Sequence, residues 1–193
     1  MSALPKTKPQ GDAPAAAVDA VLTLSVIQDP TQRLDWLRQV RLFSDLRTQP
    51  GALERLAEVM TFGRYAPGAA ILREGEEGSD AFFLCAGAIR VLKSIAGGES
   101  FPVAALAAKD HPFFGEAALL QSDKRSATIL TETDCICLIL NKAAFDRYCL
   151  EAPQWALPVV LRIGRVILDR LHKTNDDMIL LYNALVREVK GDS

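Results

Sequence analysis

The stretch PFFGEAALLQSDKRSATIL, residues 112–130, decides how this sequence is interpreted. A short helix-prone segment begins at Glu116 and presents free N–H groups in its first turn. Arg125 follows nine residues later and precedes two small residues and a predicted β-strand. A helix N-terminus with one arginine suits a single anionic group. The Glu116 carboxylate would repel a dianion but accepts hydrogen bonds from a sugar hydroxyl. The combination therefore suits a singly charged phosphodiester joined to a ribose.

Within this stretch, FGEAALLQSDKRSAT resembles the phosphate-binding cassette of the cyclic-nucleotide-binding domain family, which joins F-G-E-x-A-L to R-[STA]-A across a short variable loop. The run GAAILREGEEGSDAFFLCAGAIRVLK, residues 68–93, resembles the first hairpins of that family, and LFSDL, residues 42–46, resembles its lead-in. The resemblance extends from Leu42 to Lys190. It implies that Arg125 pairs with the phosphate oxygens and that Glu116 binds the ribose 2′-hydroxyl. The alternative for these two residues is a salt bridge across a turn.

A second resemblance lies further along the chain. RLHKTN, residues 170–175, is similar to the dimer helix of the catabolite activator protein branch of the family, where neighbouring polar residues contact the adenine. This similarity favours cAMP over cGMP, and the alternative is a Thr174 that bonds its own helix backbone. The full ligand-binding set implied by the resemblance is Phe114, Gly115, Glu116, Ala117, Ala118, Arg125, Ser126, Ala127, Val103, Arg170, Thr174 and Asn175.

Two departures from the family pattern border this segment. The family usually has a Gly-Asp pair before F-G-E, whereas this chain reads Lys109-Asp110-His111-Pro112, with extra residues. Lys124 replaces a proline that often precedes the arginine. We expect the second change to be tolerated on a surface loop, while the first alters the approach to the cassette.

The rest of the chain predicts an α+β fold, a mainly antiparallel, jelly-roll-like β-roll flanked by N-terminal helices and a long C-terminal helix. Short apolar segments punctuated by glycines indicate strands, and Gly75, Gly78, Gly87 and the Gly97-Gly98 pair predict turns with positive φ. The predicted parts are a disordered tail (1–17), a helical segment (18–60), the β-roll (61–141) and C-terminal helices (142–190). Within the helical segment we expect helices over 18–27, 31–43 and 51–60, with Thr31 as an N-cap. Breaks are expected at Pro153 and Pro158.

The last helix carries apolar residues at alternating steps of four and three, which is typical of a two-helix seam. These positions are Ile167, Leu171, Thr174, Met178, Leu181 and Leu185. The pattern predicts a homodimer through the C-terminal helix, and the alternative is that this stripe packs on the protein's own β-roll.

Composition excludes several classes of function. The net charge of −2 gives no basic field for DNA or an anionic membrane, and no apolar run approaches the roughly 18–20 residues of a membrane span. Four cysteines in apolar surroundings predict buried, reduced thiols and a cytoplasmic protein. His111 and His172, the only histidines, have no nucleophile or metal partner at a recognisable spacing. We therefore expect no enzyme, no metal and no cofactor.

These observations leave two hypotheses. The first is a sensor that binds a cyclic nucleotide monophosphate and reports it through the long helix to a dimer or an effector protein. The chain stops at Ser193, soon after that helix, so we expect no helix-turn-helix module of the catabolite activator kind. The second hypothesis is an interaction scaffold that keeps the fold without binding nucleotide.

Overall fold

The protein is described from a computed structural model, which covers residues 29–95 and 98–191. The predicted tail over 1–17 and the predicted helix over 18–27 lie outside the described residues. The described part contains short N-terminal helices, ten strands and two C-terminal helices. It confirms the predicted fold class, an α+β arrangement built around an antiparallel β-roll.

The N-terminal helices differ in detail from the prediction. Helix α1 runs over Pro30–Gln39, and its N-cap is Asp29 rather than Thr31. The Asp29 carboxylate accepts the backbone N–H of Thr31 at 2.8 Å. Pro30 begins this helix, because a proline in the first turn lacks an N–H that would be unpaired there anyway. A 3₁₀ helix over Arg41–Leu46 replaces the predicted end of α1, and α2 follows over Ala52–Glu58.

The strands form two four-stranded antiparallel sheets and one short two-stranded pair. Sheet A has the order β1-β10-β4-β7, sheet B has the order β2-β9-β5-β6, and β3 pairs with β8. The strands are β1 (Thr61–Tyr65), β2 (Ala70–Leu72), β3 (Glu77–Gly78), β4 (Asp80–Ala86), β5 (Ala88–Ser94), β6 (Ser100–Ala107), β7 (Phe113–Phe114), β8 (Asp123–Lys124), β9 (Thr128–Thr131) and β10 (Cys135–Asn141). A second 3₁₀ helix, Ala108–Asp110, precedes β7, and helix α3, Ala117–Leu120, follows it.

Sheet A is covered on both faces, which explains the continuous apolar run of β4. Phe83 and its alternate neighbours point towards the helices, while Phe82 and Leu84 point into the roll. Sheet B contributes Ile89 and Ile129 to the roll interior and turns its other face outward. The core therefore has two clusters, one on each side of sheet A, and sheet A is the rigid wall between the helices and the roll.

Two helices complete the chain. Helix α4 covers Lys142–Glu151, and α5 covers Pro153–Lys190, which makes it 38 residues and roughly 57 Å long. Pro153 starts α5, as a break at this position predicts, but Pro158 lies inside it without ending it. Only the carbonyl of Gln154 loses its helical partner to Pro158, and Gln154 is exposed, so water can replace that bond.

The first half of α5 packs on the core, whereas the second half does not. Ala156, Val159 and Ile163 are buried, and Ile167 is partly buried against the same cluster. Leu171 and Met178, which belong to the predicted stripe, are 52% and 61% exposed. The stripe therefore begins at Ile167 on the face that packs on the core and continues on an open face, and the homodimer through this helix stays a prediction.

The cysteines are free, and three of the four are buried while Cys149 is half-buried. Burial raises the pKa of the Cys85 and Cys137 thiols. Within the described residues, no helix combines the length and apolar character needed to cross a bilayer. The same residues contain no cluster of His, Cys, Asp and Glu suited to a metal ion.

Candidate functional site

The segment that leads into the predicted cassette is held by strand pairing. Strand β7 pairs with β4, with Phe114 opposite Phe82, and Gly115 follows with φ 72°. A Cβ placed on Gly115 would lie 2.8 Å from the carbonyl oxygen of Asp80 and 2.9 Å from Nη1 of Arg125. Both the backbone conformation and the lack of space therefore require glycine here.

The Arg125 side chain lies in a slot between two glycines. A Cβ on Gly78 would approach its Nε to 2.3 Å, so Gly78 leaves room for the guanidinium. The expectation of a positive φ at Gly78 is wrong: this glycine supplies space, not an unusual turn. The Arg125 backbone is fixed as well, since its N–H donates to Glu76 O at 2.8 Å and its carbonyl accepts from Gly75 N at 2.9 Å.

The charge of Arg125 is buried without compensation from a bonded partner. The residue is 8% exposed, and across the described residues its guanidinium takes part in no ion pair or hydrogen bond. Burial lowers the pKa of this guanidinium, and the nearby negative charge of Asp80 acts in the opposite direction. A buried cation in this state gains free energy from any anion that reaches it.

Glu116 is the acidic counterpart of this arrangement. It is 2% exposed, and its Oε1 accepts a hydrogen bond from Nη1 of Arg170 on α5. Its Oε2 is buried and has no partner within the described residues. The carboxylate therefore has one oxygen that ties the long helix to the cassette and one that remains an acceptor for a hydroxyl donor.

The C-terminal side of the cassette is fixed by a clamp from sheet B. Lys93 Nζ donates to the carbonyl oxygen of Ser126 and, at 2.9 Å, to Oε1 of Glu74. The other carboxylate oxygen of Glu74 accepts from Ser94 N at 2.8 Å. These hydrogen bonds lower the pKa of the Glu74 carboxyl, with Lys93 as the main cause. The sequence offered no signal for this clamp, because Lys93 and Ser126 are 33 residues apart.

The other predicted cassette residues occupy different environments. Phe114 is buried and stacks on Phe82, with ring centroids 5.5 Å apart, so its ring belongs to the roll interior. Ala118 is also buried, and its N–H donates to Gly115 O at 3.1 Å. Ala117 and Ser126 are exposed, and Ala127 is half-buried.

The residues predicted to contact the base lie on β6 and α5. Val103 is 51% exposed on β6, where the register with β5 shifts. Thr174 and Asn175 are exposed on α5, one turn beyond Arg170, and Thr174 Oγ1 donates to Arg170 O at 2.9 Å. This is the hydrogen bond to the helix's own backbone that the alternative for Thr174 expects. The structure thus brings Glu116 and Arg170 into contact and places Arg125 beside Gly115, the residue before Glu116.

A cavity of about 180 Å³ borders Arg125 from the side of β2 and β3. Its lining includes the carboxylates of Glu76, Glu77 and Asp80 together with Gly78. An anion entering here would meet this negative charge. This cavity by itself is therefore a poor entrance for an anion.

With this geometry in place, comparison with known proteins identifies the segment. Residues 62–152 match the family described as the cyclic nucleotide-binding domain. This segment belongs to that family. It includes Arg125 and Glu116, while Arg170 lies beyond it on α5.

Curated relatives of this cyclic nucleotide-binding domain include protein kinases and their regulatory subunits. The chain is 33% identical over 117 residues to human cGMP-dependent protein kinase 2, and the match covers 60% of this chain and 15% of the kinase. It is 40% identical over 115 residues to the cAMP-dependent protein kinase regulatory subunit of Yarrowia lipolytica, covering 58% of this chain and 28% of that subunit. The chain thus spans less than a third of the length of either relative.

A solved structure supports the same fold. The catabolite activator protein of Thermus thermophilus aligns with a TM-score of 0.62 and 21% identity, over 71% of this chain and 62% of that protein. At this identity the likeness concerns the fold alone. The family resemblance drawn from the sequence is confirmed, while the choice of ligand and the residues that bind it remain predictions.

Proposed function

We propose that this chain is a cytoplasmic, non-enzymatic cyclic-nucleotide sensor that binds cAMP in preference to cGMP and transmits occupancy through α5. The observation that carries the proposal is that two buried groups both lack a bonding partner within the described residues. One is the Arg125 guanidinium, and the other is the second carboxylate oxygen of Glu116. A cyclic phosphodiester carries a single negative charge and sits next to a ribose hydroxyl. It would supply an anion to Arg125 and a hydrogen-bond donor to Glu116 at the same time.

Glu116 also supports the distinction between a cyclic and a linear phosphate. A 5′-phosphate carries up to two negative charges at neutral pH, and the carboxylate near the arginine would repel the second one. The unbonded Oε2 atom of Glu116 favours a ribose over a deoxyribose, because only the ribose has a 2′-hydroxyl to donate to it. A buried acceptor without a donor costs about 1–3 kcal/mol.

The preference for cAMP rests on the resemblance of the segment around Thr174 and Asn175. Both side chains are exposed and so are available to a base that reaches α5. The relatives include both cAMP- and cGMP-dependent proteins, so the family by itself does not rank the two bases.

Transmission through α5 is supported by the contact of Arg170 with Glu116. The helix also exposes an apolar seam that begins before Arg170 and continues past it, and its members alternate by steps of four and three: Leu157, Leu161, Gly164, Leu168, Leu171, Asn175, Met178, Tyr182, Leu185 and Val189. A sustained heptad seam is complementary to a second copy of itself. Asn175 takes an a position in this register, where a single asparagine selects a paired, in-register dimer. The occupant we propose is therefore a second copy of this chain in a parallel arrangement.

The alternative function, a nucleotide-free scaffold, has one observation in its favour. Arg170 already satisfies one oxygen of Glu116, so the long helix is held against the cassette by the protein itself. In that case the exposed seam of α5 would be occupied by an effector protein.

The test is isothermal titration of the nucleotide-stripped protein with cAMP, cGMP and 5′-AMP. We expect micromolar or tighter binding of cAMP, weaker binding of cGMP and none of 5′-AMP. Arg125→Ala should lose about 3–5 kcal/mol of binding, because it removes the buried partner of the phosphate.

The matched control is Arg90→Ala. Arg90 lies on β5 of the same roll, but it is exposed and pairs with Glu132 at the surface. Its replacement should leave affinity within twofold, since exposed pairs contribute about 0–1 kcal/mol to stability and this one does not face the cassette. A loss below tenfold for Arg125→Ala would remove Arg125 from the site, and no binding by the folded wild-type protein would favour the scaffold.

A further inference from the structure

The backbone just before the cassette is unusual at one residue. His111 has φ 47° and ψ 49°, and it is the sole residue other than glycine with positive φ among those described. It lies in the Lys109–Pro112 loop, where this chain departs from the family pattern. Histidine adopts this conformation more often than most residues, but it is held there only when its surroundings fix it.

The contact that holds His111 comes from the N-terminal helix. Its ring lies against the indole of Trp36 on α1, with centroids 5.5 Å apart and ring planes inclined by 49°. Trp36 is partly buried against the core on the helical side of sheet A, and its neighbour Leu37 is fully buried. The partner of His111 is therefore a fixed part of the fold rather than a loose surface ring.

From His111 the chain reaches the site in five residues, and the backbone is held along the way. His111 N donates to Ala108 O at 3.0 Å, and Pro112 O accepts from Leu84 N at 3.0 Å. Phe113 and Phe114 then pair with β4, and Gly115 turns the chain into Glu116. Residues with a left-handed backbone conformation, His111 and Gly115, thus flank this short strand. The direction of the strand therefore depends on the contacts that fix these two residues.

We propose that the Trp36–His111 contact positions the Gly115–Glu116 segment for nucleotide, which makes α1 a regulatory input to the site. Trp36 and His111 are positioning residues, since neither belongs to the predicted ligand set. The inference rests on the proposed function. By linkage, whatever displaces α1 lowers nucleotide affinity, and bound nucleotide stabilises the docked position of α1 by the same factor.

The experiment uses the full chain with Trp155→Phe, which leaves Trp36 as its single tryptophan. Titration with cAMP should change the emission of Trp36 with the same midpoint as calorimetric binding. His111→Gly removes the ring but keeps a residue that accepts the left-handed backbone. An aromatic pair contributes about 0.5–1.5 kcal/mol, so His111→Gly should weaken binding by up to about tenfold and abolish the Trp36 response.

Two further variants separate positioning from simple destabilisation. His111→Asn accepts the left-handed backbone but has no ring, so it should weaken binding as much as His111→Gly does. Trp36→Leu combined with His111→Gly should weaken binding no more than either single change, because both remove the same contact.

Each result supports or overturns the proposal. Wild-type affinity in folded His111→Gly would overturn it, as would effects of the two single changes that simply multiply. An unchanged Trp36 emission on binding would do the same. If the Trp155→Phe parent binds no cyclic nucleotide, the proposed function fails and this inference fails with it. If the parent binds normally and His111→Gly matches it, only the coupling to α1 fails.

Discussion

The two halves of α5 both carry regularly spaced apolar residues, but their environments differ. Over residues 153–167 the helix buries Ala156, Val159 and Ile163 against the core, and Arg162 pairs with Asp45 at 2.9 Å and 3.0 Å. Over residues 168–190 the apolar side chains are open. Leu168, Leu171, Met178, Ile179, Leu180, Leu181, Tyr182, Leu185 and Val189 are each more than half exposed. The halves meet near Arg170, the residue that contacts Glu116.

The difference shows that an apolar helix segment in this protein need not be a packed one. Helices are held mainly by packing of an apolar face, and the second half of α5 lacks such packing within the described residues. An exposed apolar stripe of this length marks an interaction surface. Residues 153–167 therefore contribute a packed face to the fold, while residues 168–190 carry the larger exposed apolar surface.

The largest effect should come from the buried half. Ile163→Ala leaves a cavity in the helical core and should lower the free energy of unfolding by about 2–5 kcal/mol. The matched change in the open half, Leu181→Ala, should alter it by less than about 0.5 kcal/mol in dilute, monomeric protein. Urea denaturation at low protein concentration measures both. Equal losses would show that the open half is packed in solution.

An intermediate effect is expected at the junction. Arg170→Gln removes the charge-assisted bond that holds the buried Glu116 carboxylate in place, so its other oxygen is less well positioned for a ribose hydroxyl. We expect cAMP affinity to fall about tenfold, which corresponds to about 1.4 kcal/mol. Calorimetry tests this, with Arg187→Ala near the exposed end of α5 as the control. Unchanged affinity in Arg170→Gln would separate the helix from the site.

The smallest effect in free energy should come from the single polar member of the seam. Asn175→Leu should strengthen self-association, because it removes an amide that the proposed dimer would bury, and it should allow larger assemblies beside dimers. Sedimentation equilibrium distinguishes these states. A strictly monomeric Asn175→Leu, together with a monomeric wild type, would contradict a second copy as the occupant of the seam.

Sequence reasoning predicted most of the fold because the relevant signals are local. Strand segments between Thr61 and Asn141, the start of α5 at Pro153 and its end at Lys190 follow from apolar runs, glycines and prolines. The cap at Asp29 was misassigned because Asp29 and Thr31 are both good cap residues on either side of a proline. Pro158 was misjudged because the loss of a single bond near a helix start is tolerable.

The candidate site was predictable only in part, because its contacts join distant positions. Arg125 and Glu116 came from a contiguous motif. The pairing of Glu116 with Arg170 spans 54 residues, and the clamp of Lys93 on Ser126 spans 33. The role of Gly78 depends on the path of an arginine side chain, which no local pattern encodes. Such contacts are visible only in the tertiary structure.

The burial of Glu116 beneath Arg170 also bears on the speed of the response. Under the proposed function, a ribose would reach the free oxygen of this carboxylate, which is 2% exposed, only after the part of α5 around Arg170 moves aside. Opening of the helix would thus precede capture, and the association rate at high ligand concentration would level off at the opening rate. Departure would require the same movement, so each bound nucleotide would stay for at least one opening interval. A sensor built in this way would average the concentration of its ligand over that interval and ignore briefer fluctuations.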